Sequence, residues 1–467
     1  MKRNTKNPRR RNIISTMLIS IICILFLSFL SQKNTPYNFK KDNINGPIKE
    51  LQISSSEAPE QLWNTTWGGS GYDGGSDIAI DSSNNIYLSG FTNSFGAGDF
   101  DIVLVKYNSL GERQWNTTWG GSDFDSGLAI EIDSSNNIYI GGFTRSFGAG
   151  GNDMVLVKYN SLGQQQWNTT WGGSGVDIAS GVALDSSNNI YLAGRTVSFG
   201  AGSSDMVLVK YNSLGQQQWN TTWGGSLSDT GNEVVVDFSD NVYLVGYTTS
   251  FGAGGNDMVL VKYNSLGQQQ WNTTWGGANH DLGYALGLDS SNNIYITGGA
   301  NSTFFDPFHP IETDIVLVKY NSLGEQQWNT TWGGSVEDSG HAIAINSSNN
   351  IYLAGRTDSF GAGDTDMVLV KYNSSGEQQW NTTWGGIGND FVNEIEIDSS
   401  NNIYITGGTN SSGAGYHDMV LIKYGEVITS NGDGGELIPG YDFFLLFGVI
   451  GLISAISIKK RYKSIIS

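Results

Sequence analysis

Cysteine is nearly missing from this chain of 467 residues: Cys23 is the only one, inside an N-terminal apolar run. No disulfide framework therefore holds the body together. Proline is scarce, with seven residues in all, and basic residues are the rarest charges. Between Gln61 and Tyr424, 36 Asp and Glu residues stand against 11 Lys and Arg. A body of that balance repels nucleic acid and acidic lipid headgroups, and attracts divalent cations or basic partners. There are four histidines, His280, His309, His341 and His417. All four read as residues of one loop-bearing face in different blades, and a zinc site would need several of them within reach of one ion, which loop spacing does not show. Nucleophile-elbow, phosphate-loop and dinucleotide motifs are missing as well, so no reaction is named by the chain.

What is present is repetition. The motif WNTTWGG starts at Trp63, Trp115, Trp167, Trp219, Trp271, Trp328 and Trp380, and these copies hold all 14 tryptophans. The starts lie 52 residues apart except for one gap of 57. Such a period marks units that bury their apolar faces against one another. The 63 glycines and the Asn- and Ser-rich turns point to short strands joined by tight hairpins.

One unit reads as four strands. An alternating run such as Asp77 to Asp81 passes through the turn Ser82-Ser83-Asn84 into Ile86 to Thr92. A loop then ends at Asp101, Ile102 to Tyr107 follows, and the turn Asn108 to Gly111 leads into the next Trp-bearing strand. The fold class is all-β: a seven-bladed β-propeller of four-stranded antiparallel blades spanning 61–424. The repeat begins with a WNTTW strand that has no hairpin partner and ends with Asp418 to Tyr424, which has no WNTTW partner. Strand 61–67 is therefore predicted to close the ring as the outermost strand of the last blade, removing two unpaired edges.

The ends differ in chemistry from the ring. Six basic residues within 1–11 precede an apolar run from Ile13 to Leu30, the layout of a signal peptide or signal anchor over 1–31. Residues 32–60 read as a linker, and 425–437 as a flexible one. The apolar segment 438–458 is long enough to span a bilayer, and the basic tail 459–467 stays cytoplasmic by the positive-inside rule. The expected location is a single-pass membrane protein with its propeller outside the cell.

The recurring pattern AIAIDSSNNIYLAG, Asp, VLVKYN, SLGEQQW and GG resembles the SBBP-type seven-bladed propeller repeats of secreted and surface proteins in bacteria and archaea. The segment KYNSLGEQQW is similar to the strand-turn-strand of quinoprotein-type propellers, in which a tryptophan docks on the neighbouring blade. The Pro-Gly, apolar helix and basic tail resemble archaeal surface-protein anchors. These likenesses imply a fold and a location; none of the quinone-site residues of such enzymes is matched here.

Strand direction places the loops before the first strand and between the second and third on one face, with both hairpin turns on the other. The loops vary in sequence and the turns are nearly constant, so the loop face is the expected binding face. One acid recurs in the first loop, at Asp73, Asp125, Asp177, Asp229, Asp281, Asp338 and Asp390. A second set, Asp101 through Asp418, precedes the third strand. Such carboxylates either cap their own loops or supply hard oxygen ligands, with Ca²⁺ the ion they would take.

Blade five carries a longer loop with Phe304, Phe305, Phe308 and His309, suited to stacking on sugars or anchoring a protein partner, or else to packing on the ring. The mid-strand lysines from Lys106 to Lys423 read as members of structural ion pairs.

Each WNTTW also holds an Asn-Thr-Thr acceptor, at Asn64, Asn116, Asn168, Asn220, Asn272, Asn329 and Asn381; further acceptors stand at Asn301, Asn346, Asn373 and Asn410. These asparagines are glycosylation candidates, unless packing of neighbouring blades buries their face of the strand. Taken together, the chain reads as a membrane-anchored, non-catalytic binding or cell-envelope module for carbohydrate or protein. The alternative is an extracellular lyase or quinoprotein-like enzyme working in the central channel. Clustered acids and His around that channel would favour the enzyme, and an exposed aromatic patch would favour binding.

Overall fold

The computed structural model describes residues 58–301 and 313–425. The signal segment, the C-terminal anchor and tail, and Phe304, Phe305, Phe308 and His309 lie outside the described residues. Seven four-stranded antiparallel sheets are present. In the first blade the order is β2 (Asp73–Ile80), β3 (Ile86–Thr92), β4 (Asp101–Tyr107) and β5 (Arg113–Trp119). In the last it is β26 (Asp390–Ile397), β27 (Ile403–Thr409), β28 (Asp418–Gly425) and then β1 (Glu60–Trp67). The first strand of the chain thus completes the last blade, with Asn64 opposite Ile422 and Trp67 opposite Met419.

The innermost strand starts earlier than the alternating pattern predicts, at Asp73 instead of Asp77. A register shift between Gly75 and Asp77 breaks the alternation, which is what an extra bulged residue does to a period-two signal. The recurrent Asp of the first loop is therefore the first residue of this strand.

The uniform turns have a local cause. Asp81 Oδ1 accepts from the amides of Ser83 and Asn85 at 2.9 Å, and its Oδ2 accepts from Asn85 Nδ2 at 2.8 Å and the Tyr87 hydroxyl at 3.1 Å. Asn84 takes a left-handed φ of 58°, which Asn tolerates better than most side chains. Lys106 lies over the Tyr87 ring, its Nζ 4.7 Å from the centroid. The lysine column is thus mainly a cation–π column. A direct ion pair forms between Lys210 and Asp185, at 3.1 Å.

Tryptophans wedge the blades together. Trp63 meets Tyr404 of its own blade edge-on, with centroids 6.2 Å apart. Its indole also covers Gly111 of the next blade: a Cβ there would fall 3.0 Å from the Trp63 ring, and the φ of +79° already favours glycine. The second tryptophan reaches the loop of the next blade, as Trp67 does with Phe95 at 5.2 Å. The apolar core follows the same rule, each cluster combining two neighbouring blades. One joins Tyr87, Ile102 and Leu104 to Ile138, Val155 and Tyr159.

Candidate functional site

The recurrent acids are bound into the scaffold. Asp73 Oδ2 accepts from the Gly69 amide at 2.7 Å and the Ser94 hydroxyl at 2.6 Å, while Oδ1 accepts from the Thr92 hydroxyl. The pattern recurs at Asp125, Asp177, Asp229 and Asp390. Asp338 accepts from Gly334 and Ser359, and Asp281 from Gly277. In the second set Asp101, Asp153, Asp205, Asp257, Asp366 and Asp418 cap their own loops: Asp101 Oδ2 accepts from the amides of Ala97 and Gly98 at 2.8 and 3.1 Å.

Between blades the two sets flank the first glycine of each GG. A Cβ on Gly120 would fall 2.1 Å from Asp101 Oδ1 and 2.7 Å from Asp125 Oδ2. The seven loop-start carboxylates sit one per blade, and among the described residues no group of three or more His, Cys, Asp or Glu is placed to hold a metal ion. Gly120→Ala is expected to cost about 1–3 kcal/mol in chemical denaturation. Gly277→Ala, whose Cβ meets nothing within 4 Å, should stay within about 0.5 kcal/mol. Equal costs would show that the carboxylate pair does not shape this step.

The central channel holds a cavity of about 740 Å³ lined by the innermost strands. Besides β2 and β26 these are β6 (Asp125–Ile132), β10 (Asp177–Leu184), β14 (Asp229–Val236), β18 (Asp281–Leu288) and β22 (Asp338–Ile345). Their residues form rings. The fourth positions include Asn232, Tyr284, His341 and Asn393; the fifth and seventh bring Asp77, Glu131, Glu233, Glu394 and Glu396; the eighth are all Ile, Leu or Val. Neither Lys nor Arg is in the described lining.

Several of these polar groups tie one blade to the next. Asp77 Oδ2 accepts from the Ile130 amide at 2.7 Å and Glu233 Oε2 from the Leu286 amide at 2.6 Å. Asn232 Nδ2 donates to the Gly283 carbonyl and Asn393 Nδ2 to the Gly75 carbonyl, both at 2.7 Å.

Burial dominates the acidities. It pushes Asp77 up to about 7. Burial, then the charge of Asp77, raises Glu131 to about 7. Glu233 is raised to about 8 and Glu396 to about 8, again first by burial, and Glu394 lies well above the usual carboxylate range. His341 stacks on Tyr284 with centroids 5.1 Å apart, and burial lowers it to about 4. It therefore sits on the channel wall, not among the variable loops as expected from sequence. These acids carried one legible signal: they occupy columns where other blades have Ala, Gly or Val.

The loop face carries a second feature, at positions other than those expected from the sequence. Across blades seven, one and two runs an aromatic strip: Phe391, His417, Tyr72, Phe91, Phe100 and Phe124. Successive centroids are 5.2, 4.5, 5.8, 5.8 and 4.8 Å apart. All six residues are partly exposed. Parallel bridges from Tyr72 to His417 and from Phe100 to Phe124 hold the loops side by side. Phe91 also borders the channel, so the strip runs to its mouth. His280 is separate, its Nδ1 accepting from the Asn256 amide at 3.1 Å.

The fold defines the protein as a seven-bladed β-propeller. No family model matches it. Regulatory protein FlaEY of Caulobacter vibrioides is similar to it, 25% identical over 167 residues, a match that takes in 32% of this chain and 18% of FlaEY. Among solved structures, the extracellular domain of BT4673 from B. thetaiotaomicron superposes with a TM-score of 0.47 at 14% identity, covering 78% of this chain and 40% of that one. The Pan2 WD40 domain of Neurospora crassa gives 0.46 at 10% identity, covering 81% and 99%. The fold assignment rests on the seven four-stranded sheets themselves.

Proposed function

We propose that the protein is a non-catalytic binding module of the cell surface, with SBBP-type repeats, held by segment 438–458 with its basic tail inside. Its ligand is a carbohydrate. The observation carrying this reading is the aromatic strip from Phe391 to Phe124, since partly exposed rings in a row suit the flat apolar faces of successive sugars. The acids of the channel and body disfavour acidic polysaccharides, so the expected class is neutral or amino sugars. Residues 55–430 are expected to bind such glycans on an array. Tyr72→Ala and Phe100→Ala should each weaken binding about tenfold or more, with melting temperature retained. Binding to proteins alone, or affinity untouched by both substitutions, would overturn the assignment.

The clustered channel acids favour a second reading, a glycan-cleaving enzyme, because buried carboxyls with raised pKa values serve as general acids. Turnover of a bound glycan that is lost in Asp77→Asn while binding remains would establish the enzyme.

A further inference from the structure

The outer strands present a pattern that blade packing does not explain. In all seven copies the WNTTW asparagine is exposed, while the first tryptophan and the middle threonine beside it are half-buried or buried. The second threonine, two residues after each asparagine, shares the asparagine's face of the strand and is half-buried or exposed. The alternative, an asparagine face buried between blades, is thus excluded by the structure.

None of these seven asparagine side chains hydrogen-bonds within the described protein, whereas turn asparagines are tied down. Asn108 Oδ1, for example, accepts from Leu110 and Glu112. Asparagine is also disfavoured in strands, so seven unpartnered copies in mid-strand bring the fold no benefit. Each of these strands is moreover the free edge of its sheet. Most read QQWNTTW, without the lysine, proline or inward charge that usually blunts an edge against pairing with another chain.

We propose that the WNTTW asparagines are N-glycosylated, forming a girdle of sugar around the ring that blocks edge-to-edge association. The donor is an oligosaccharide linked through phosphate to a polyprenol. The asparagine amide nitrogen attacks its anomeric carbon, a C–N bond forms, and the C–O bond to phosphate breaks. The lipid phosphate leaves with the electron pair, the amide proton passes to a base, and nothing is oxidised or reduced. The threonine two residues on is the acceptor signal. Transfer precedes strand pairing, because a paired strand does not bend to a transferase.

Asn346 provides an internal contrast. It belongs to an acceptor sequence too, but it is 8% exposed, its Oδ1 accepts from the Ser348 and Asn350 amides, and its Nδ2 donates to Asn401. A glycan there is incompatible with the folded ring.

The inference rests on the extracellular placement proposed above, and on no other part of that reading. The test uses full-length chain from its native cells, with surface labelling of intact cells to establish placement. Glycopeptide mass spectrometry should then show sugar on most of the seven asparagines and none on Asn346. Replacing all seven by glutamine should remove the sugar mass carried by the WNTTW peptides and raise self-association several-fold at unchanged melting temperature. Surface-labelled protein whose seven sites are bare overturns the proposal alone, and so does self-association that is unchanged in the glutamine variant. Protein that does not label at the surface overturns both the placement and the proposal.

Discussion

Removal of residues 61–69 lowers the melting temperature of the ring by about 10 °C. The segment supplies all of β1 but Glu60, and with it six of the seven residue pairs that complete the last blade. It also supplies Trp67, 4% exposed, in a cluster that joins Met419 and Leu421 of the last blade to Ile86 and Leu88 of the first. Losing a buried tryptophan costs about 3–5 kcal/mol, and the lost strand leaves β28 as an unpaired edge beside an opened blade junction. Gly69 goes too, and with it the hydrogen bond that its amide donates to Asp73 Oδ2.

A total of about 5–10 kcal/mol, spread over the large unfolding entropy of a ring of this length, corresponds to roughly 10 °C. Because blades contact only their neighbours, the damage is confined to one junction, and circular dichroism should still report the remaining sheets. Trp67→Ala alone is expected to produce about half the shift. A melt unchanged within about a degree after the deletion would show that the ring does not depend on this closure.

The fold was legible because its determinants repeat. Seven copies of one motif, turn residues with defined chemistry and an unpaired strand at each end specify blade number, hairpins and closure without tertiary information. The start of the innermost strand was not legible, since the bulge after Gly75 interrupts the alternation from which strands are read. Site residues were harder to find because they break the repeat instead of following it. Asp77, Glu131, Glu233, Glu394 and Glu396 are distant in sequence and meet only because the ring closes.

The aromatic strip is likewise assembled from four different repeat positions, Phe391 lying within the first strand of its blade. Tyr72 and Phe124 precede the first strand, Phe91 lies within the second, and Phe100 and His417 precede the third. No local motif links these positions. The repeated acids follow the repeat instead: Asp73 and its counterparts accept hydrogen bonds from the loops of their own blades.

The channel acids predict that the protein is less stable in mild alkali than in mild acid. A carboxyl raised in the folded state, as burial raises Asp77 and Glu131 to about 7 and Glu233 and Glu396 to about 8, holds its proton where the unfolded chain has already lost it. Between the unfolded value, about 4, and the folded value, the native state binds more protons than the unfolded state. Stability therefore falls as pH rises through that window, and the penalty is absent below it.

His341 has the opposite sign. Lowered to about 4, it must stay neutral in the ring, so it takes stability away as pH falls from about 6.5 toward 4. One histidine only partly offsets several carboxyls, so stability rises as pH falls and its maximum lies near the unfolded carboxylate value, about pH 4. A tenfold difference in proton affinity between folded and unfolded chain is worth about 1.4 kcal/mol. Sharing of protons among neighbouring acids reduces the sum, so the expected fall from pH 5.5 to 8.5 is about 5 °C. Glu233→Gln separates the channel from the acidic surface. The amide oxygen still accepts from Leu286 but carries no charge, so the variant should melt higher than the native protein at pH 8.5 and level with it near pH 4.5. A difference between variant and native protein that does not change with pH would mean that Glu233 is ionised throughout, and that a bound cation, not a proton, neutralises the channel.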